Sequence, residues 1–153
     1  MLIVLEGCDG TGKTTLAKFL SRVLKADIVH CTKDTPNDYD FFYQIISAAI
    51  TENIIADRFC YGQFVYQKES DRKLTKKLLH RLEADMLKAN AKLIFVTAPK
   101  HLIEARLAAR CEITDMPVEK IVNRFEDLMK ESILPVIRYD TGFNWVDDRE
   151  ELL

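Results

Sequence analysis

An α/β fold, a five-stranded parallel sheet with helices on both faces, is predicted by three observations. Short apolar runs alternate with longer amphipathic segments along the chain. The first apolar run ends in a glycine-rich turn, Gly7-x-x-x-x-Gly12-Lys13-Thr14, which leads into a helical pattern. No repeat, low-complexity stretch or linker interrupts the 153 residues, so one domain over 1–153 is expected. Strands separated by helices need crossover connections and form parallel sheets buried on both faces. Right-handed crossovers set the carboxyl ends of the strands at one rim, where ligands of such sheets bind.

Residues 2–5 are a short apolar run ending at Gly7 and read as a buried strand. A helix follows over 13–25, with Leu16, Leu20, Val23 and Leu24 at helical spacing. A second strand is expected at 27–30. A helix over 38–50 puts Phe41, Phe42, Ile45, Ile46 and Ala49 on one side, and 53–57 is the third strand. A long amphipathic helix is expected over 71–90, with Leu74, Leu78, Leu82 and Met86 as its apolar stripe. That stripe serves the core or a homodimer equally well. The segment 92–98, KLIFVTA, is the clearest buried strand. Helices follow near 101–110 and 118–131, and 136–139 is the last strand. From Asp140 the tail is acidic and carries the single tryptophan, Trp145.

Charged residues are 30% and hydrophobic residues 48% of the chain, as in ordinary globular proteins, and the net charge is −2. That balance gives no basic surface for polymeric nucleic acid. Cys8, Cys31, Cys60 and Cys111 form no CxxC pair, and His30, His80 and His101 add no zinc spacing. Free thiols in a reducing compartment follow. The opening run MLIVL is too short for a signal peptide or a membrane span. A cytoplasmic protein without a membrane partner is expected.

The turn at Gly7 matches the P-loop pattern in full, and its strand-before, helix-after setting is the right one. Glycines let the backbone curl so that several N–H groups face an anion, and the helix N-terminus adds partial positive charge. Gly7, Gly10, Thr11, Gly12, Lys13, Thr14 and Thr15 form the expected phosphate-binding set. Lys13 is expected on the β- and γ-phosphates of ATP, and the Thr14 hydroxyl on Mg²⁺. The fold class is therefore a three-layer P-loop NTPase of the nucleoside monophosphate kinase type. Asp57 ends an apolar strand, which suits a carboxylate holding Mg²⁺ through water. A helix N-cap or a lysine ion pair are its other uses. Arg58 follows it and points to a bidentate phosphate clamp.

The acceptor is read from charge. A hydroxyl acceptor needs a carboxylate base. A monophosphate acceptor is already ionised, with a second pKa of about 6, and needs cations instead. The second strand ends His30-Cys31-Thr32-Lys33, and Arg58, Arg106 and Arg110 add positive charge. This favours a phosphate acceptor bound at Lys33, with Asp34 alongside. Cys8, Cys31 and Cys60 share the same rim, either as a redox or metal cleft or as small packing residues.

The stretches LIVLEGCDGTGKTTLAKFL and DRFCYGQFVYQ together resemble the thymidylate kinase family. That family has an acidic residue inside the P-loop, matched by Asp9, and a DR-aromatic motif, matched by Asp57, Arg58 and Phe59 and continued by Gly62 and Tyr66-Gln67. EARLAARCE resembles the segment entering the family's lid, here 110–117. The resemblance implies Mg-dependent transfer of the ATP γ-phosphate to a deoxynucleoside monophosphate, dTMP or a related one. It places Lys13, Asp9, Arg58 and Arg110 in catalysis. Arg106 would flank the adenine or reach the phosphates, and Asp9, Lys33, Arg58, Tyr66 and Gln67 would hold the acceptor. Only 37–56 separates the acceptor-phosphate loop from the DR motif, and this span has no arginine. Phe41, Phe42, Tyr43 and Gln44 are its candidates for a base platform, with Phe41 and Phe42 foremost. The chain thus reads as a compact variant. Two alternatives remain, a kinase acting on the hydroxyl of a deoxynucleoside or other small molecule, and a nucleotide-binding regulatory protein without turnover.

Overall fold

The computed structural model describes residues 1–68, 71 and 73–143; Trp145 and the acidic tail beyond 143 lie outside them. The elements run β1 (Leu2–Glu6), α1 (Lys13–Leu24), β2 (Asp27–His30), α2 (Tyr39–Ala48), β3 (Ile54–Asp57), α3 (Cys60–Tyr66), α4 (Lys76–Lys88), β4 (Lys92–Thr97), α5 (Lys100–Ala109), α6 (Val118–Glu131) and β5 (Val136–Asp140). The strands form one sheet in the order β2-β3-β1-β4-β5. All four ladders are parallel. The carboxyl ends therefore share a rim, from which the chain leaves at Gly7, Cys31, Arg58, Ala98 and Thr141. Strand order reverses at β1, whose neighbours β3 and β4 lie on opposite sides, and the glycine-rich turn leaves from that switch point.

Side chains alternate along a strand, and this divides the interior in two. Ile3, Leu5, Ile55, Ile94 and Val96 pack on Leu16, Ala17 and Leu20 of α1. Leu2, Val4, Ile54, Ala56, Leu93 and Phe95 face the other way, toward residues of α2 through α6. The three layers follow directly from that alternation.

Several boundaries are set by caps. Asp38 precedes α2 and accepts a hydrogen bond from the Phe41 N–H at 2.9 Å. Thr75 does the same for α4, with Leu78 N–H at 3.2 Å, so this helix starts at Lys76 and not at 71. The stripe of α4 lies in the core, with Leu82 and Met86 fully buried in the cluster that holds Phe42 and Ile46 of α2. The short helix α3 was not foreseen. Its sequence CYGQFVY is buried at five positions and lacks the polar face that marks an amphipathic helix.

One expected acceptor residue is corrected here. Phe42 is completely buried, edge-on to Phe59 with ring centroids 4.8 Å apart, and forms core rather than a platform for a base. Phe41 is half-buried against the same cluster. Phe42→Ala should cost about 3–5 kcal/mol, read by urea unfolding, because the cavity among Phe41, Phe59 and Ile46 has little room to collapse.

Candidate functional site

The turn between β1 and α1 is shaped by its glycines. At Gly7 a Cβ would lie 2.1 Å from the Val96 carbonyl oxygen, so no side chain fits there. Gly12 has φ +97 and starts α1 without any side-chain cap, leaving the helix's first N–H groups to an anion. The loop is braced from its far side. Thr11 Oγ1 donates to the Cys8 carbonyl at 2.8 Å, and Thr141 Oγ1 donates to the Thr11 carbonyl at 2.7 Å. Arg106 Nη1 donates to the Gly10 carbonyl at 3.1 Å and to Thr141 Oγ1 at 3.0 Å. Through Nη1, Arg106 supports the cradle's backbone. Thr141 was missed because its partner Thr11 is distant in sequence and no local pattern marks it.

Lys13 Nζ donates to the carbonyls of Gly7 and Cys8, both at 2.8 Å, with the Asp9 carboxylate at 3.8 Å. Burial pulls the Lys13 pKa down, and Asp9 opposes that shift. Asp9 also takes Arg58 Nη2 at 2.6 Å. Its backbone N–H donates to the Tyr66 hydroxyl at 2.9 Å. Arg58 itself has φ +67, a conformation L-residues seldom adopt. Its Nε is buried without a hydrogen-bond partner among the described residues. The guanidinium is thus fixed through Nη2 by Asp9 while the side chain stays partly exposed.

The Thr14 hydroxyl donates to Asp57 Oδ2 at 2.7 Å, and His30 Nδ1 lies 3.0 Å from the same oxygen. His30 and Asp57 are partners in the β2–β3 ladder, which explains the contact. Asp57 Oδ1 is buried and has no hydrogen-bond partner among the described residues. A hydroxyl beside a carboxylate with an open oxygen fits a magnesium ion held mainly by nucleotide phosphates, with Asp57 acting through water. Among the described residues no group of three or more His, Cys, Asp or Glu forms a metal site by itself.

The cleft in front of the loop is lined by Asp9, Gly10, Gly12, Lys13, Thr14, Thr15 and Arg58, and by Arg110 and Glu112 at the start of the 110–117 connection. Arg110 Nη1 is 3.9 Å from Glu112 Oε1. Glu112 was not singled out from sequence, where it looked like one more surface charge. Lys33, Phe41, Tyr66 and Gln67 do not line this cleft. Lys33 is exposed on the loop after β2, one strand over from Arg58. Tyr66 supports Asp9, and the Gln67 amide oxygen accepts from Asn37.

Glu6 ends β1 and is fully buried. Its Oε1 accepts from the N–H groups of Phe59, Tyr61 and Gly62 at 2.8, 3.1 and 3.3 Å. Its Oε2 has no hydrogen-bond partner among the described residues. Burial, the largest influence, raises its pKa from 4.5 to about 7, against the pull of those N–H groups and Lys13. A charged residue closing an apolar run was the available signal. Cys8, Cys31 and Cys60 are buried, and burial pushes each thiol up, Cys31 to about 12. They are poor thiolates, which suits packing better than redox or metal chemistry.

No family model matches the chain, and no curated protein sequence matches it. Solved structures do. The YorR protein of Bacillus subtilis, in complex with phosphorylated GDP, superposes with TM-score 0.77 and 28% identity, over 99% of this chain and 90% of that one. Deoxyadenosine kinase of M. mycoides with bound dATP gives 0.61 and 17%, over 99% and 96%. Thymidylate kinase of Candida albicans gives 0.59 and 16%, over 99% and 88%. The fold is that of the P-loop kinases. The last two scores do not separate a thymidylate kinase from a deoxyadenosine kinase, so the kinase fold stands without assignment to one of its families.

Because the folded state keeps a proton on Glu6 that the unfolded chain releases, this residue makes stability fall as pH rises from about 4.5 to 7. Glu6→Gln should remove that dependence. Its stability relative to the unchanged protein should rise by on the order of 3 kcal/mol across this window, measured by urea unfolding at each pH.

Proposed function

We propose that the protein transfers the γ-phosphoryl group of Mg-ATP to a deoxynucleoside monophosphate, dTMP or a related one, giving the diphosphate. The observation that carries this reading is Arg58. It lines the cleft in front of the phosphate cradle, with its Nη2 fixed by Asp9 and its side chain still 36% exposed. A planar fork held on one side presents donors to a phosphate on the other. Arg110 lines the same cleft, and Lys33 follows the strand next to that of Arg58. Such cations offset the repulsion between two anionic phosphates and the charge of the transition state.

The carboxylates support the same choice. Asp9 is paired with Arg58, Asp57 is engaged by Thr14 and His30, and Glu6 is fully buried. A hydroxyl acceptor would need one of them, or Asp34, as its base, whereas an ionised monophosphate needs none. Thr14 and Asp57 would hold the magnesium ion, which supplies charge neutralisation between the β- and γ-phosphates. Lys13 would leave the Gly7 and Cys8 carbonyls for the phosphates, and the N–H groups of the loop and of α1 would orient them. The structure of YorR with phosphorylated GDP supports a nucleotide ligand for this fold.

Incubation with Mg-ATP and a panel of deoxynucleosides and their monophosphates tests the reading. New diphosphate from a monophosphate is expected. Monophosphate from a nucleoside would replace this reading with a hydroxyl kinase, and bound ATP without transfer would leave a regulatory nucleotide binder. Lys13→Ala should lower turnover by about 10³-fold or more with the fold intact by circular dichroism. Lys33→Ala should raise the acceptor KM by about tenfold and leave the ATP KM nearly unchanged; equal losses for both substrates would remove Lys33 from the acceptor site.

A further inference from the structure

Arg58 has two properties that a surface arginine lacks. Its backbone is in the left-handed region at φ +67, and its guanidinium lies 2.6 Å from Asp9. A bulky residue at positive φ costs about 1–3 kcal/mol and persists only where its surroundings impose it. The surroundings are visible on both sides of the residue. On the amino side, the Arg58 N–H donates to the Leu5 carbonyl at 3.1 Å. On the carboxyl side, the next N–H and those of Tyr61 and Gly62 converge on one oxygen of Glu6, the residue after Leu5. Both anchors belong to β1, the strand that also launches the phosphate loop.

We propose that Glu6 is a positioning residue for the acceptor half of the site, gripping the first turn of α3 so that Arg58 meets Asp9 at a fixed distance from the cradle. The inference rests on the reading of Arg58 as a phosphate clamp. Glu6 is fully buried and does not line the cleft; its hydrogen bonds go to the segment that follows Arg58, and only its charge reaches Lys13. The far end of α3 is held by a separate contact, in which the Tyr66 hydroxyl receives the Asp9 N–H at 2.9 Å. Gly62 takes part through its N–H, which donates to Glu6 Oε1 at 3.3 Å. The carboxylate is therefore a spacer of set length between β1 and α3. Length matters to such a spacer, and charge matters less.

Two substitutions separate length from charge. Glu6→Gln keeps the reach and the accepting oxygen. Glu6→Asp keeps an ionisable carboxyl group and shortens the arm by one methylene. Glu6→Asp should lower kcat over the acceptor KM by about 10–100-fold with the ATP KM within about threefold, and Glu6→Gln should stay within about fivefold of the parent. Adding Arg58→Ala to Glu6→Asp should cost much less than Arg58→Ala costs alone, because the two act on one interaction. Full additivity would overturn the proposal. So would a Glu6→Gln loss as large as that of Glu6→Asp, which would make charge the operative property. A direct readout needs no turnover. The Arg58 Nε–H resonance should shift in Glu6→Asp and hold its position in Glu6→Gln, with Mg-ADP binding unchanged in both. If the parent protein moves no phosphate at all, the functional reading fails while this resonance still decides the role of Glu6; an unmoved resonance in Glu6→Asp refutes it.

Discussion

The approach of Gly7 to the Val96 carbonyl is the contact on which the site is built. β1 is the central strand, buried on both faces and hydrogen-bonded on both edges. Its chain must turn away at the rim while the neighbouring strand β4 continues beneath it. With a hydrogen atom in place of a side chain, the backbone passes close over Val96 and curls into the loop. A displaced loop would carry the start of α1, Lys13 and Thr14 with it. The parallel ladders then bring the ends of β2 and β3 alongside, so His30, Asp57 and Arg58 arrive at the loop by register alone.

The polar groups at this rim are organised in shared bonds. Asp9 serves Arg58 and Lys13, Asp57 serves Thr14 and His30, and Thr141 joins Arg106 to Thr11. Sharing of this kind holds several side chains in one geometry in a region of low dielectric, where a fixed charge acts strongly on whatever enters. Among the described residues, Asp57 Oδ1 is buried without a hydrogen-bond partner, as are Glu6 Oε2 and Arg58 Nε nearby. Buried polar atoms of this kind are uncommon, and the one on Asp57, beside the Thr14 hydroxyl, suits an incoming ion.

Much of this was legible in the sequence. The spacing Gly7 to Thr14, with an apolar run before and helical periodicity after, carries the loop, and the alternation of runs carries the layers. The limits were physical. Helix α3 is buried around most of its circumference, so no periodicity revealed it. Phe41 and Phe42 are adjacent, and a helix must send neighbours in different directions, which pattern alone could not resolve into core and surface. The bonds of Arg106 to Gly10 and Thr141 had no sequence signal, because only the tertiary fold brings these partners to it. Glu6 was passed over because a carboxylate inside a strand acquires meaning only when the N–H groups it receives are known.

The uneven burial of the cysteines has a practical side. Cys8, Cys31 and Cys60 are enclosed, and burial keeps their thiols protonated at neutral pH, while Cys111 is exposed. Cys111 lies between Arg110 and Glu112, both on the wall of the cleft. A maleimide dye added to the native protein would therefore attach at a single place, beside the arginine that faces the phosphate loop. The chain comes with its own attachment point for a fluorescent reporter of nucleotide arrival, with no engineering of the other thiols.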